Sequence, residues 1–78
     1  MLTIYDASPE IARHIMTYLS GMVEFDIRYH DDVANVRLYG YPSIQYVDKD
    51  ALRISFDVAN FKVQFRIEIT EFSKLEIE

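Results

Sequence analysis

Apolar and polar residues alternate from residue 23 to residue 69, and the alternation breaks only where the composition is typical of turns. A period of two is typical of β-strands that bury one face. Residues 31–32 and 59–60 are interpreted as two-residue turns, and residues 40–43 and 48–50 as longer ones. The pattern therefore predicts an antiparallel β-meander of about five strands.

The turn at residues 31–32 predicts a register that satisfies both faces of its hairpin. Ile27 then opposes Val36 on the apolar face, while Asp26 opposes Arg37 on the polar face. The turn at residues 59–60 works in the same way for the next hairpin. It sets Phe56 against Val63, Ile54 against Phe65, Asp57 against Lys62, and Arg53 against Arg66, a like-charge pair.

A short strand at residues 2–5 and one helix precede the meander. Ser8 is a candidate N-cap, Pro9 suits the first helical position, and the helix ends at residues 20–21. Its apolar stripe contains Ile11, Ile15, Tyr18, Leu19 and Met22. The predicted core joins this helix to the sheet and contains Ile11, Ile15, Leu19, Phe25, Ile27, Val36, Leu38, Ile54, Phe56, Val63, Phe65 and Ile67.

The end of the chain departs from the alternation. Phe72 has the wrong parity, which predicts a bulge or bend at residues 70–71. Leu75 and Ile77 then form a short edge strand or fray. The fold class is α+β, with residues 1–78 forming a single domain in which one amphipathic helix packs on one face of the meander.

Composition narrows the class of protein. The 78 residues are half hydrophobic and contain no Cys, which excludes disulfides and thiolate metal sites. The N-terminal residues lack the pattern of a secretory signal, and no apolar run could span a membrane. We therefore expect a soluble cytoplasmic protein. A formal net charge of −5 argues against direct binding to nucleic-acid phosphates.

Acidic residues recur at alternate turns of the meander, and alternate turns lie at the same end of such a sheet. The helix start is expected to join them there, with Lys49 and Lys74 as the nearby bases. Because Asp is also a common turn residue, the clustering has a second explanation that involves no function. We define the acidic end as Asp31, Asp32, Asp48, Asp50, Glu68 and Glu71, together with Asp6 and Glu10.

The polar face of the meander carries most of the basic residues. Arginine and tyrosine are enriched at protein interfaces, so Arg37, Tyr39 and Tyr41 are candidate contact residues. A plain solvated face has the same composition, and single-stranded nucleic acid also stacks on sheet aromatics. The bases expected on this one open face are Arg28, Arg37, Arg53, Lys62 and Arg66.

Motifs for catalysis and for cofactor or metal binding are absent from the sequence. His14 has no second ligand one helical turn away, and adjacent side chains of residues 30–32 point apart. No Ser or Thr is expected beside a His and a carboxylate, and no glycine-rich phosphate loop is present. We therefore expect no catalytic, cofactor-binding or metal-binding residues, and a protein that is not an enzyme.

Two functions fit these features. The first is a small protein-interaction module, such as a phage-like acidic inhibitor or accessory protein that blocks a basic surface on a nucleic-acid-binding partner. The second is a structural or regulatory subunit that forms a homodimer or larger oligomer through the open sheet face or an edge strand. The interaction module would bind a partner protein with a basic surface. Neither function involves binding to a membrane.

Overall fold

The computed structural model describes residues 1–78, apart from the side chain of Phe61. One helix and seven antiparallel strands confirm the predicted α+β class. The elements are β1 (Leu2–Ala7), α1 (Pro9–Leu19), β2 (Phe25–His30), β3 (Val33–Leu38), β4 (Ser43–Asp48), β5 (Ala51–Val58), β6 (Phe61–Glu68), a 3-10 turn (Ile69–Glu71) and β7 (Lys74–Ile77).

The strands are divided between two sheets. Sheet A has the order β2-β3-β1-β7, and sheet B has the order β4-β5-β6. Residues 39–42 carry the chain from sheet A to sheet B, and Gly40 has a φ of +126°, which disfavours an L side chain. The amide of Tyr39 bonds back to the carbonyl of Glu24 at 2.9 Å. The segment at 39–42 is therefore a crossing between sheets, and β3 and β4 are not neighbours.

Both predicted hairpin registers are confirmed. Ile27 pairs with Val36 and Asp26 with Arg37 in sheet A. Sheet B sets the remaining pairs as expected: Phe56 with Val63, Ile54 with Phe65, Asp57 with Lys62, and Arg53 with Arg66. The short turns therefore determine register locally, because a slip of one residue would turn every apolar side chain to the wrong face.

The helix begins as predicted. The Ser8 hydroxyl accepts a hydrogen bond from the amide of Ile11 at 3.2 Å, and Pro9 occupies the first turn. Ile15 and Leu19 are fully buried, and so is Ala12, which lies one turn before Ile15 on the same face. Tyr18 does not join the core; it is 40% exposed and stacks on His14, with ring centroids 5.7 Å apart.

Both sheets and the helix share one hydrophobic core. All of the predicted core residues belong to it, although Ile11, Phe25 and Ile27 are only partly buried. Each fully buried Leu or Ile contributes roughly 1.5–3 kcal/mol, so the additional members matter for stability. These additional buried residues are Leu2, Ile4, Ala7, Ala12, Val23, Ala34 and Leu52.

β7 is an edge strand of sheet A and pairs with β1. β1 therefore occupies an interior position between β3 and β7. The predicted bend at residues 70–71 is present as the 3-10 turn. The amide of Glu78 bonds to the carbonyl of Met1 at 2.8 Å, which extends the ladder by one rung. α1 is the only α-helix among the described residues. It has eleven residues, and it is not long and apolar enough to cross a membrane.

Candidate functional site

Three backbone contacts connect the elements that carry the acidic end. Ala7 pairs with Ala34, which places the turn at residues 31–32 beside the end of β1. The amide of Ser8 bonds to the carbonyl of Glu71, and the amide of Ile69 bonds to the carbonyl of Asp50, both at 2.8 Å. The turns at 31–32 and 49–50, the 3-10 turn and the start of α1 therefore lie at one end of the molecule.

The charge of the chain is segregated toward this end. Three basic residues, Lys49, Lys74 and Arg66, adjoin the eight carboxylates of the acidic end. The other five acidic residues of the chain are balanced by the other five basic ones. The acidic end therefore carries a formal charge equal to the whole net charge of −5.

Arg66 is a basic residue at this end that the sequence analysis placed elsewhere. Its guanidinium contacts Glu68 at 3.0 Å and Asp48 at 3.2 Å. The hydrogen bond and the charge of Glu68, followed by the charge of Asp48, raise the pKa of Arg66 above its ordinary value. Turning toward these carboxylates also relieves the like-charge contact between Arg66 and Arg53 on the neighbouring strand.

Several carboxylates of the acidic end have structural partners. Asp48 accepts a hydrogen bond from the amide of Asp50 at 2.7 Å, which stabilises the turn, and Glu71 accepts one from the Ser8 hydroxyl. The side chains of Asp31, Asp32 and Asp50 form no ion pair or hydrogen bond with any described side chain or backbone group, and all three residues are exposed. These three carboxylates are available to a partner.

A polar cluster beside the acidic end was missed, because the sequence analysis expected no Ser near a His and a carboxylate. The Ser73 hydroxyl donates to Asp6 at 2.8 Å, and the other oxygen of Asp6 contacts Nε2 of His30 at 3.2 Å. Asn35 bonds to the amide of Asp6 at 3.1 Å. The cluster forms where β1, the β2–β3 hairpin and the residue before β7 meet, and these segments are too far apart in sequence for local reasoning to bring them together.

The order of groups in this cluster does not activate a nucleophile. A catalytic serine needs a base that accepts its proton, with the carboxylate behind that base. Here Asp6 stands between Ser73 and His30, so the hydroxyl faces a carboxylate and not the imidazole. The cluster holds β7 and the β2–β3 hairpin against Asp6, whose φ of +54° is otherwise unfavourable for a non-glycine residue.

The bases expected on one open face are divided between the two sheets. Arg28 and Arg37 belong to sheet A, whereas Arg53, Lys62 and Arg66 belong to sheet B. The division follows from the crossing at residues 39–42. The sheet A pair lines a shallow cavity of about 260 Å³, whose remaining lining residues are Thr3, Tyr5, Asp26 and Asn35.

The two candidate tyrosines lie beside this crossing. Tyr39 directly follows β3 and is 40% exposed, while Tyr41 lies within residues 39–42 and is 90% exposed. Arg37 is an exposed residue of β3 that pairs with Asp26 on β2. The structure therefore leaves all three side chains accessible, but the tyrosines lie beyond the strand that carries Arg37.

No group of three metal-ligating side chains occurs among the described residues. Comparisons with protein-family models, with curated proteins and with solved structures find no match for this chain.

Proposed function

We propose that the protein is a non-enzymatic interaction module whose acidic end docks on a basic surface of a partner protein. The observation that supports this proposal is the segregation of charge: the acidic end carries the equivalent of the full −5, and the remainder of the chain is balanced. A surface of one sign accelerates encounter with an oppositely charged partner and excludes like-charged ones. Asp31, Asp32 and Asp50 are the principal contact residues of the proposal.

The partner proposed is a basic protein of the cytoplasm, such as one that binds nucleic acid. A carboxylate surface repels phosphates, so the module would compete with nucleic acid for the partner and would not bind nucleic acid itself. By analogy with phage-like inhibitors and accessory proteins, the module would act by covering a basic groove of its partner. Arg66 limits the attraction locally, because it already neutralises part of the charge of Asp48 and Glu68.

Two variants of equal net charge test the proposal. The first replaces unpaired carboxylates of the acidic end with Asp31→Asn, Asp32→Asn and Asp50→Asn. The second removes the same charge from other parts of the surface with Glu24→Gln, Asp57→Asn and Glu78→Gln, all of which are exposed positions. Both variants and the unmodified chain serve as baits in cells of the native host, and captured proteins are identified at low and high salt.

The proposal expects one basic protein that the unmodified chain and the second variant retain and the first variant loses. The affinity of this partner for the unmodified chain should fall as the salt concentration rises. Its affinity for the first variant should be weaker and should depend less on salt. Retention of the partner by the first variant, or a partner without a basic surface, would contradict the proposal.

A second candidate is a regulatory subunit that acts as a homo-oligomer. The observation that favours it is the exposure of tyrosines beside the crossing between the sheets, with Tyr39 at 40% and Tyr41 at 90%. On the version that uses Arg37 and Tyr39, Arg37→Ala with Tyr39→Ala should weaken self-association and leave the stability of the monomer nearly unchanged. Sedimentation of the unmodified chain and of this double variant over the same concentration range measures the difference in self-association.

A further inference from the structure

β4 is an edge strand whose regular part carries no charge that would oppose pairing. It has a neighbour only on the side of β5, so its other side presents unpaired backbone groups. Residues 43–47 contain no charged side chain, and Pro42 precedes the strand without interrupting it. A register shift after Tyr46 marks a bulge, so residues 43–46 are the regular part of the edge.

The other three edge strands are protected by charge. β2 carries Asp26 and Arg28, and β7 carries Lys74 and Glu76. β6 carries Lys62 and Arg66 along its length. Charged side chains on an edge oppose pairing with another chain. β4 differs from all of them, because residues 43–47 are uncharged and include a tyrosine, Tyr46, that is 74% exposed.

We propose that β4 pairs antiparallel with β4 of a second copy, about a two-fold axis that passes through Gln45. In this register Ile44 lies opposite Tyr46 of the second copy, and Gln45 lies opposite itself. An aromatic residue opposite a β-branched one is a favourable cross-strand pair, and it occurs twice because of the symmetry. Asp48 lies beyond the regular part of the strand, toward Pro42 of the second copy, so no like charges oppose each other along the strand.

The charge distribution favours a second copy in this orientation. Asp48, at the end of β4, belongs to the acidic end, so β4 runs toward it. Antiparallel pairing therefore directs the two acidic ends to opposite extremities of the dimer, where their repulsion is small. The pairing forms one continuous sheet with the order β6-β5-β4-β4-β5-β6. Each acidic end remains uncovered in this dimer.

Charge exchange at Gln45 tests the axis. Gln45→Lys and Gln45→Glu each place a charge opposite an identical charge in the proposed dimer, whereas an equal mixture of the two variants places opposite charges together. Gln64→Lys and Gln64→Glu on β6 are the matched controls, because Gln64 is also an exposed residue of an edge strand of sheet B. Sedimentation equilibrium up to millimolar concentration measures association.

The unmodified chain should dimerise in a concentration-dependent manner. Each Gln45 variant alone should dimerise about tenfold more weakly, because like charges directly opposite each other destabilise a strand pair. The mixture of the two should recover at least the original affinity, and the Gln64 variants should not differ from the unmodified chain. A monomer at every concentration would overturn the proposal and leave the edge to a strand of another protein. Failure of the mixture to recover, or equal effects at Gln64, would overturn the two-fold register.

Discussion

Individual residues of this domain adopt backbone conformations that their side chains do not favour. Asp6, Asp31 and Ala59 have φ angles between +53° and +54°. Aspartate tolerates this region better than most residues, and Asp6 is also held by Ser73 and Asn35. Ala59 has no polar side chain to compensate, so its conformation reduces the stability of the β5–β6 hairpin.

Ala59→Gly should therefore stabilise the protein by roughly 0.5–1 kcal/mol. Glycine removes the left-handed penalty of about 1–2 kcal/mol, and the greater entropy of the unfolded chain offsets part of the gain. The midpoint of urea unfolding measures the effect. Asn60→Gly is the control. The φ of Asn60 is not positive, so glycine relieves no strain there, and the greater entropy of the unfolded chain should lower the midpoint. A lower midpoint for Ala59→Gly than for the unmodified chain would contradict the expectation.

The hydroxyl of Tyr5 faces a carboxylate on the neighbouring strand. Its hydroxyl donates to the Glu76 carboxylate at 3.2 Å, and this bond, with desolvation and the charge of Glu76, raises the pKa of Tyr5. A raised pKa in the folded state means that the associated stability is present below about pH 10 and is lost as pH rises through the raised pKa.

Absorbance titration of the six tyrosines should show a component that ionises above the ordinary tyrosine pKa of about 10. Tyr5→Phe should remove that component, and Glu76→Gln should move it to lower pH because both the carboxylate acceptor and its charge are lost. Tyr29→Phe is the control, since Tyr29 is 58% exposed and forms no hydrogen bond through its hydroxyl with the described residues. A titration curve unchanged by Tyr5→Phe would exclude this assignment.

Among the elements, β1 contributes more to the fold than its short sequence signal indicates. It lies between β3 and β7, and Leu2 and Ile4 are fully buried. The same strand carries Asp6 into the cluster with His30 and Ser73 at its other end. β1 therefore joins the hydrophobic core of sheet A to the contacts that close the sheet beside the acidic end.

Ile4→Ala should cost about 2–5 kcal/mol of unfolding free energy, and Phe65→Ala in sheet B about 3–5 kcal/mol. Both losses are a large part of the stability of so small a domain. Because the two sheets share one core, each variant should unfold in a single transition in denaturant. Ile77→Ala on β7 is the control and should change stability by about 0.5 kcal/mol or less, since Ile77 is 57% exposed. An unchanged midpoint for Phe65→Ala would contradict its place in the core.

At the scale of the whole molecule, charge and packing are separated. The core connects all layers, whereas the net negative charge is confined to one end. Concentrated like charge opposes the compact state, so the acidic end reduces stability at low ionic strength.

The variant with Asp31→Asn, Asp32→Asn and Asp50→Asn should be more stable than the unmodified chain at low salt, by roughly 0.5 kcal/mol. The gain should disappear near 1 M salt, where the screening length is about 3 Å. Thermal unfolding at two salt concentrations measures it. The charge-matched variant with Glu24→Gln, Asp57→Asn and Glu78→Gln should gain less, and an equal gain would show that the charge is not segregated.

Sequence reasoning succeeded where the deciding contacts are local. The registers around residues 31–32 and 59–60 follow from the alternation and the turn, and the helix start follows from Ser8 and Pro9. Sequence reasoning was incomplete where a strand pairs with one that is distant in the sequence. Nothing within residues 2–7 indicates that the strand lies between β3 and β7, and nothing near Gly40 distinguishes a hairpin turn from a crossing between sheets.

The candidate site shows the same division. Acidic turns at alternate positions could be found from the order of the strands, but the contacts that connect them could not. Arg66 was assigned to an open face because its strand parity is known, whereas the direction of its long side chain depends on Asp48, 18 residues away in the chain. The cluster of Asp6, His30 and Ser73 requires strands from both ends of the sequence.

The interior position of β1 also has a consequence for synthesis on the ribosome. Within this domain β1 precedes every other strand in the chain, and one of its two neighbours, β7, follows all the others. Until residues 74–77 leave the ribosome, one edge of β1 has no partner. Contacts this distant also slow folding, since the intervening loop must close first. We infer that the nascent chain can form its three local hairpins, β2–β3, β4–β5 and β5–β6, early, while sheet A is completed only after residues 74–77 have been translated.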